Sequence, residues 1–243
     1  MGEYKVSRRK FLKGAAAAAG AGAAGCLCRP AAALERNRAD SASGPVPLMI
    51  IDLSRCMGCQ SCVAACAAAM AGRAEAFAVN IQYLVTEDAG VTRPVFVPVA
   101  CIHCSDAPCM DACRNKAVVR LKNGLVVTDE SRCMADGACI QACPYGARAA
   151  EQSNGQHPVS CDLCAGRLSR GALPACVEAC PSRARIFGYS NCHEGELGEY
   201  LERGGLRLPD GSPAHAGDAL VLYLGLPLSR IVQKGQGVLN NGR

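Results

Sequence analysis

Fifteen cysteines of this 243-residue chain fall into four runs, at spacings that suit thiolate ligation of metal. The first run is Cys56-x2-Cys59-x2-Cys62-x3-Cys66 and the second is Cys101-x2-Cys104-x4-Cys109-x3-Cys113. The third holds Cys133, Asp136, Cys139 and Cys143; the fourth is Cys161-x2-Cys164-x11-Cys176-x3-Cys180. C-x2-C-x2-C-x3-C-P, which the third run completes with Pro144, is a spacing by which thiolates wrap an iron–sulfur cluster. The chemistry on offer is therefore one-electron transfer. In that same run Asp136 stands where the second cysteine belongs, with the spacing kept, so this is a substitution and not a slip of register.

Two rival uses of cysteine fit less well. Structural zinc wants two cysteine pairs set well apart, whereas three cysteines within seven residues, as in Cys56 to Cys62, crowd a tetrahedral ion. A disulfide framework belongs to short secreted chains and does not explain a fourfold regular spacing. Because a tight loop cannot close all four corners of a cube, the fourth cysteine of a run in two-cluster ferredoxins reaches across to the other cluster. Four runs then mean four clusters in two reciprocal pairs. His103, inside Cys101-x2-Cys104, is either a donor to a cluster sulfur or a simple loop histidine. Asp162, Arg167, Arg170, Arg183 and Arg185 flank the fourth run and read as a solvated face, with a partner-docking surface as the alternative. Cys192 has no partner run and reads as an incidental thiol.

The elements that must position these ligands are short. Val118–Lys122 and Leu125–Asp129 are β-type runs around Asn123-Gly124, which predicts a β-hairpin between the second and third runs. Residues before each fourth cysteine, such as Val63-Ala64-Ala65 and Val177-Glu178-Ala179, suit helix, and after Cys66 the helix can continue into an Ala-rich stretch. Pro144 and Pro181 end the loops behind Cys143 and Cys180. The segment Asp218–Arg230 reads as a buried strand and its exit, too short for a membrane span and broken by Pro227. Aromatic residues make up only 4% of the chain, with no Trp, so inorganic clusters would fill part of the interior. No nucleotide-binding glycine loop or hydrolytic constellation occurs.

The N-terminus carries an address. Ser7-Arg8-Arg9-Lys10-Phe11-Leu12-Lys13 is a twin-arginine pattern, followed by an apolar Ala- and Gly-rich stretch from Gly14 to Gly25 and a small-residue site at Ala31–Ala33. Cleavage after Ala33 is expected, with Ala23-Ala24-Gly25-Cys26 as an alternative lipoprotein box. Residues 1–33 hold six basic residues and one acid, leaving 20 basic and 20 acidic residues in the mature chain. Each cluster with four anionic ligands would add about −2 when oxidised, so the loaded protein is acidic and nucleic acid is excluded as a partner.

The four runs in this order, with the x11 gap in the last, resemble the four-cluster electron-transfer subunits of the dimethyl sulfoxide reductase family over residues 47–190, with Leu222-Tyr223-Leu224-Gly225 near the end. The resemblance implies an α+β, loop-rich fold of two interleaved bacterial-ferredoxin-like modules of βαββαβ type. It divides the chain into a signal (1–33), a first cluster-binding half (34–92), a ferredoxin-like module (93–150), a fourth run packing with the first (151–190) and a C-terminal extension (191–243). It also implies the ligand sets: Cys56, Cys59, Cys62 with Cys180; Cys161, Cys164, Cys176 with Cys66; Cys101, Cys104, Cys109 with Cys143; and Cys133, Cys139 with Cys113.

Three [4Fe-4S] clusters are thus implied, and at the fourth two outcomes are distinct. Asp136 ligates the last iron through oxygen, a harder donor than thiolate, or that corner is empty and the cluster is [3Fe-4S], as in the related nitrate reductase subunit. The implied role is a periplasmic relay peripheral to the inner membrane, exported folded by the twin-arginine route. It would sit between an integral membrane quinone-reactive subunit and a redox subunit, either a molybdopterin enzyme or a multihaem cytochrome. It would have no substrate site of its own and would touch the membrane only through a partner. The alternative is a free soluble polyferredoxin.

Overall fold

The computed structural model describes residues 45–70, 78–88, 91–150, 157–191, 194–215, 217–225 and 231–235. The expected signal, with Cys26 and Cys28, lies outside the described residues, as does Cys192.

The centre of the molecule is one apolar run. Pro47-Leu-Met-Ile-Ile-Asp52 forms β1 (Pro47–Asp52), with every residue buried. A continuous apolar run of this length suits a strand covered on both faces. β1 lies between β8 (Arg185–Tyr189), antiparallel, and β9 (Val221–Leu224), parallel, so Ile50 sits opposite both Ile186 and Leu222. Ile50, Ile51, Leu222 and Tyr223 have no exposed surface, and each such side chain stabilises the fold by about 1.5–3 kcal/mol. The expected C-terminal strand is therefore central to the core. It also brings the first half, the fourth run and the C-terminal extension into one sheet.

β1 ends on a hydrogen-bonded carboxylate. Asp52 accepts from the Ser54 N–H at 2.9 Å and the Ser54 hydroxyl at 2.5 Å, and from the Tyr200 hydroxyl on α6 (Gly195–Arg203) at 2.6 Å. Burial by itself would raise its pKa, but the hydrogen bonds from Ser54 and Tyr200 and the charge of Arg55 hold it below the usual carboxylate range. A depressed folded pKa contributes stability above the unfolded value of about 3.9 and loses it as pH falls through the folded value. Asp52→Asn is expected to cost about 1.5–3 kcal/mol at pH 7. The gap to the parent in urea midpoint should close as pH drops below the folded pKa; a gap of constant size would refute the ionic role.

A second sheet, ordered β10-β2-β3, pairs β2 (Val79–Asp88) with β3 (Val91–Ala100) along their whole lengths and adds β10 (Ile231–Gly235). The division expected between residues 92 and 93 falls inside β3. The expected hairpin forms as β4 (Val118–Arg120) and β5 (Val126–Thr128), shorter than the sequence suggested. Its loop closes through Leu121 N–H to Leu125 O, with Gly124 at φ +85°. β6 (Arg148–Ala149) pairs with β7 (Val159–Ser160).

Helix α1 (Ser61–Ala69) runs past Cys66 as the Ala-rich sequence predicts. α2 (Pro108–Asp111), α3 (Ala138–Gln141), α4 (Ala165–Leu168) and α5 (Ala175–Glu178) are single turns. The third ligand position of each run, Cys62, Cys109, Cys139 or Cys176, sits on α1, α2, α3 or α5 respectively. The architecture is α+β and rich in loops. Among the described residues no helix is long and apolar enough to cross a membrane.

Candidate functional site

The four runs share a local geometry. Two residues after the first cysteine the backbone turns left-handed in every run: Gly58 (φ 70°), His103 (54°), Ala135 (55°) and Leu163 (52°). For the three non-glycine residues this costs roughly 1–2 kcal/mol each. The return is direction: the N–H of Gly58, His103 and Leu163 donates to the sulfur of Cys56, Cys101 and Cys161 respectively. Behind the fourth cysteine a second contact recurs. Ala117, Ala147 and Ala184 donate their N–H to the sulfurs of Cys113, Cys143 and Cys180 at 3.2, 3.4 and 3.3 Å. N–H groups aimed at sulfur favour the thiolate that binds metal.

The fourth cysteines do not stay with their own runs. Cys180 lines one cavity together with Cys56, Cys59 and Cys62. Cys143 lines another with Cys101, Cys104 and Cys109. Cys66 lies in the field of Cys176 and Cys164, and Cys161 in that of Cys176, Cys101 and Cys66. Cys139 lies in the field of Cys109, Cys113 and Cys133. Burial, followed by neighbouring sulfur charge, pushes the Cys66 and Cys104 thiols up to about 12. Burial also takes Cys101 to about 11, against the opposing His103 N–H and Arg148 charge. Such thiols keep their protons until a metal displaces them. Among the described residues no group of three or more His, Cys, Asp or Glu could hold a single metal ion. Four sulfur donors converging from two runs fit a multi-iron cluster better than a lone ion.

Asp136 is exposed, and its Oδ1 accepts from the Ala138 N–H at 3.1 Å. At the matching place in run one, Cys59 accepts from the Ser61 N–H in the same i+2 relation. The carboxylate thus takes the sulfur's position in the loop. His103 is 2% exposed and its Nδ1 accepts from the Val126 N–H at 2.9 Å, tying the second run to β5. Burial, helped by the Arg148 charge, pushes its pKa down to about 3, so the ring is neutral with its proton on Nε2.

The flanking charges are less uniform than the sequence implies. Arg170 and Arg183 are exposed. Arg167 instead holds the x11 excursion together, donating from Nε to Leu173 O at 2.8 Å and pairing with Glu178 at 2.6 Å. Asp162 accepts from the Cys164 N–H at 2.7 Å. Arg185 is only 5% exposed, so it belongs to no solvated face: its Nη1 lies 3.7 Å from Cys176 Sγ. Arg148, 3% exposed and in the field of Cys109, is a site neighbour that the cysteine spacing does not reveal. The signal that could have found it is the repeated Cys-Pro-x-x-Ala-Arg of Cys143–Arg148 and Cys180–Arg185.

Run one also depends on a close approach. At Gly58 a β-carbon would lie 2.6 Å from Cδ1 of Phe96 on β3, at a φ that disfavours any side chain. Gly58→Ala is expected to lower iron content selectively in the cavity of Cys56 and to cost about 1–3 kcal/mol through strain and overpacking. Iron content and thermal midpoint at or near parental values would contradict this.

The 4Fe-4S dicluster domain family matches residues 92–190. A tetrathionate reductase subunit of Salmonella typhimurium is 34% identical over 181 residues, covering 73% of this chain and 72% of that protein. Its namesake from Archaeoglobus fulgidus is 42% identical over 139 residues, 57% of this chain and 64% of that protein. The thiosulfate reductase electron transfer subunit of Salmonella typhi is 39% identical over 145 residues, 58% of this chain and 74% of that protein. By likeness over most of both lengths to the first of these, the chain belongs to the ferredoxin-like iron–sulfur electron-transfer (beta) subunits of dimethyl sulfoxide reductase-type molybdoenzymes.

Proposed function

We propose that the chain is a periplasmic relay, passing single electrons between an integral membrane quinone-reactive subunit and a redox subunit that is a molybdopterin enzyme or a multihaem cytochrome. The observation that carries this reading is the cavity in which Cys180 meets Cys56, Cys59 and Cys62. Cysteines so far apart in sequence converge where each pair of runs must exchange its last ligand.

In this reading the interleaved modules hold four clusters. Cys56, Cys59, Cys62 and Cys180 hold one; Cys161, Cys164, Cys176 and Cys66 hold its partner. Cys101, Cys104, Cys109 and Cys143 hold the third, and Cys133, Cys139 and Cys113 hold the fourth with or without Asp136. A bound cluster supplies reversible one-electron chemistry at a potential set by its surroundings. The chain's own groups do the rest. The thiolates of these sets would hold the iron, and the N–H of Ala117, Ala147 and Ala184 stabilise the charge on Cys113, Cys143 and Cys180.

Export by the twin-arginine route fits this load, because thiols already ligated to iron cannot pair as disulfides in an oxidising compartment. The relatives' names make sulfur oxyanion reduction the first context to assay. The test is anaerobic purification of the periplasmic fraction with iron and sulfide quantitation and EPR of oxidised and reduced samples. About 15–16 iron atoms per chain are expected, and absence of iron would overturn the reading. Mild-detergent extraction should recover the chain within a membrane complex; recovery only as a monomer would favour the free polyferredoxin.

A further inference from the structure

Two arginines are buried where a charged side chain is costly, and the chain places them by the same device. Cys143-Pro-Tyr-Gly-Ala147-Arg148 and Cys180-Pro-Ser-Arg-Ala184-Arg185 share one pattern and one conformation. In each, the alanine N–H donates to the cysteine sulfur and the arginine opens a strand, β6 or β8. Among the described residues neither guanidinium has a carboxylate partner. Arg148 Nη1 donates to Thr128 Oγ1 at 3.0 Å, while its Nε and Nη2 have no partner; Arg185 Nη2 is likewise unpartnered. An uncompensated buried cation is strongly destabilising, so an anion belongs beside each.

The neighbours identify that anion. Arg148 lines the Cys101–Cys143 cavity and lies in the field of Cys109, Cys101 and Cys139. Arg185 lines the Cys56–Cys180 cavity, lies in the field of Cys62, and reaches Cys176 with Nη1 at 3.7 Å. Cys109 and Cys139 belong to different clusters of one pair in the proposed ligand sets; so do Cys62 and Cys176 of the other. The matching position after Cys113 is Val118, buried and uncharged, so the pair formed by runs two and three holds this cation on one side only.

Resting on that reading, we propose that Arg148 and Arg185 are potential-setting cations, one per cluster pair, each lying between the two clusters of its pair and acting on both. A fixed positive charge favours the more negative, reduced state of both neighbours and weakens the repulsion between them. These are positioning and tuning residues; neither carries an electron.

The test is EPR-monitored potentiometry of the full chain, purified anaerobically, with signals assigned to each pair through the Cys180→Ala and Cys143→Ala variants. Arg185→Gln, which keeps hydrogen-bond donors and removes the charge, is expected to disfavour reduction of both clusters of runs one and four about tenfold, which is 59 mV each. The other pair should stay within about twofold. Arg148→Gln should do the converse, and Arg→Lys at either site should hold parental potentials. A shift in one cluster only, a shift across all four, or Lys behaving as Gln would overturn the proposal. Where a Gln variant fails to retain iron, the Lys variant decides: parental potentials support the charge, and displaced ones refute it. Parental protein without iron would defeat the underlying reading, whereas full iron with unmoved potentials in the Gln variants defeats this inference alone.

Discussion

Replacing Cys180 with alanine is expected to remove the cluster of run one, not that of run four. The Cys180 sulfur lines the cavity of Cys56, Cys59 and Cys62, while run four's own Cys161, Cys164 and Cys176 have Cys66 beside them. Iron should fall by about four atoms per chain. The EPR signal lost should be the one that Cys56→Ala also removes. Stability should fall with it, because metal affinity at a site absent from the unfolded chain is folding free energy. The loop of run one would then keep to residues 181–184 only contacts that involve no cluster, such as Arg55 Nη1 to Arg183 O at 3.3 Å and, at its base, Asp52 N–H to Ala184 O at 2.8 Å, among the described residues. A lost signal matching that of Cys161→Ala would sink the crossed arrangement and keep each run to itself.

Asp136→Cys is expected to produce a fourth cluster with four cysteine ligands. The loop is already shaped for it: Ala135 and Gly137 hold φ of 55° and 73°, and the Ala138 N–H that Asp136 now accepts is the counterpart of the Ser61 N–H at Cys59. Thiolate binds iron more firmly than carboxylate oxygen, so exchange of that iron should slow. If the parent carries three irons there, its oxidised EPR signal should vanish and iron should rise by about one per chain. In either case the reduction equilibrium of that cluster should move at least about tenfold, or 59 mV. An unchanged spectrum and titration would show that Asp136 never touches iron.

The cysteine runs were legible because spacing is a local property and thiols have few other reasons to repeat. The hairpin at Asn123-Gly124 and the strand at Leu222 were legible for the same reason: turn chemistry and apolar runs announce themselves within a few residues. The β2–β3 pair was not read, although Val79–Asp88 and Val91–Ala100 are rich in strand-forming residues. Pro94 and Pro98 disguise β3, since proline removes a ladder donor. The structure shows why they are tolerated: in the order β10-β2-β3, β3 is an edge strand. Arg185 was misread through its charge. Charged side chains are rarely fully buried unless paired, and its partners are sulfurs contributed by two runs that no single stretch of sequence displays together.

Synthesis delivers the walls of the Cys56–Cys180 cavity at different times. Chains emerge at about 5–20 residues per second, so Cys62 waits roughly ten seconds for Cys180. Cys143 emerges before Cys161, which lets the inner two runs complete their sets while the outer two are still missing members. In the proposed ligand sets the first run, although made earliest, is the last to have all its members present, and a nascent chain stalled after β6 would contain every cysteine of the inner pair while lacking Cys180 for its first loop.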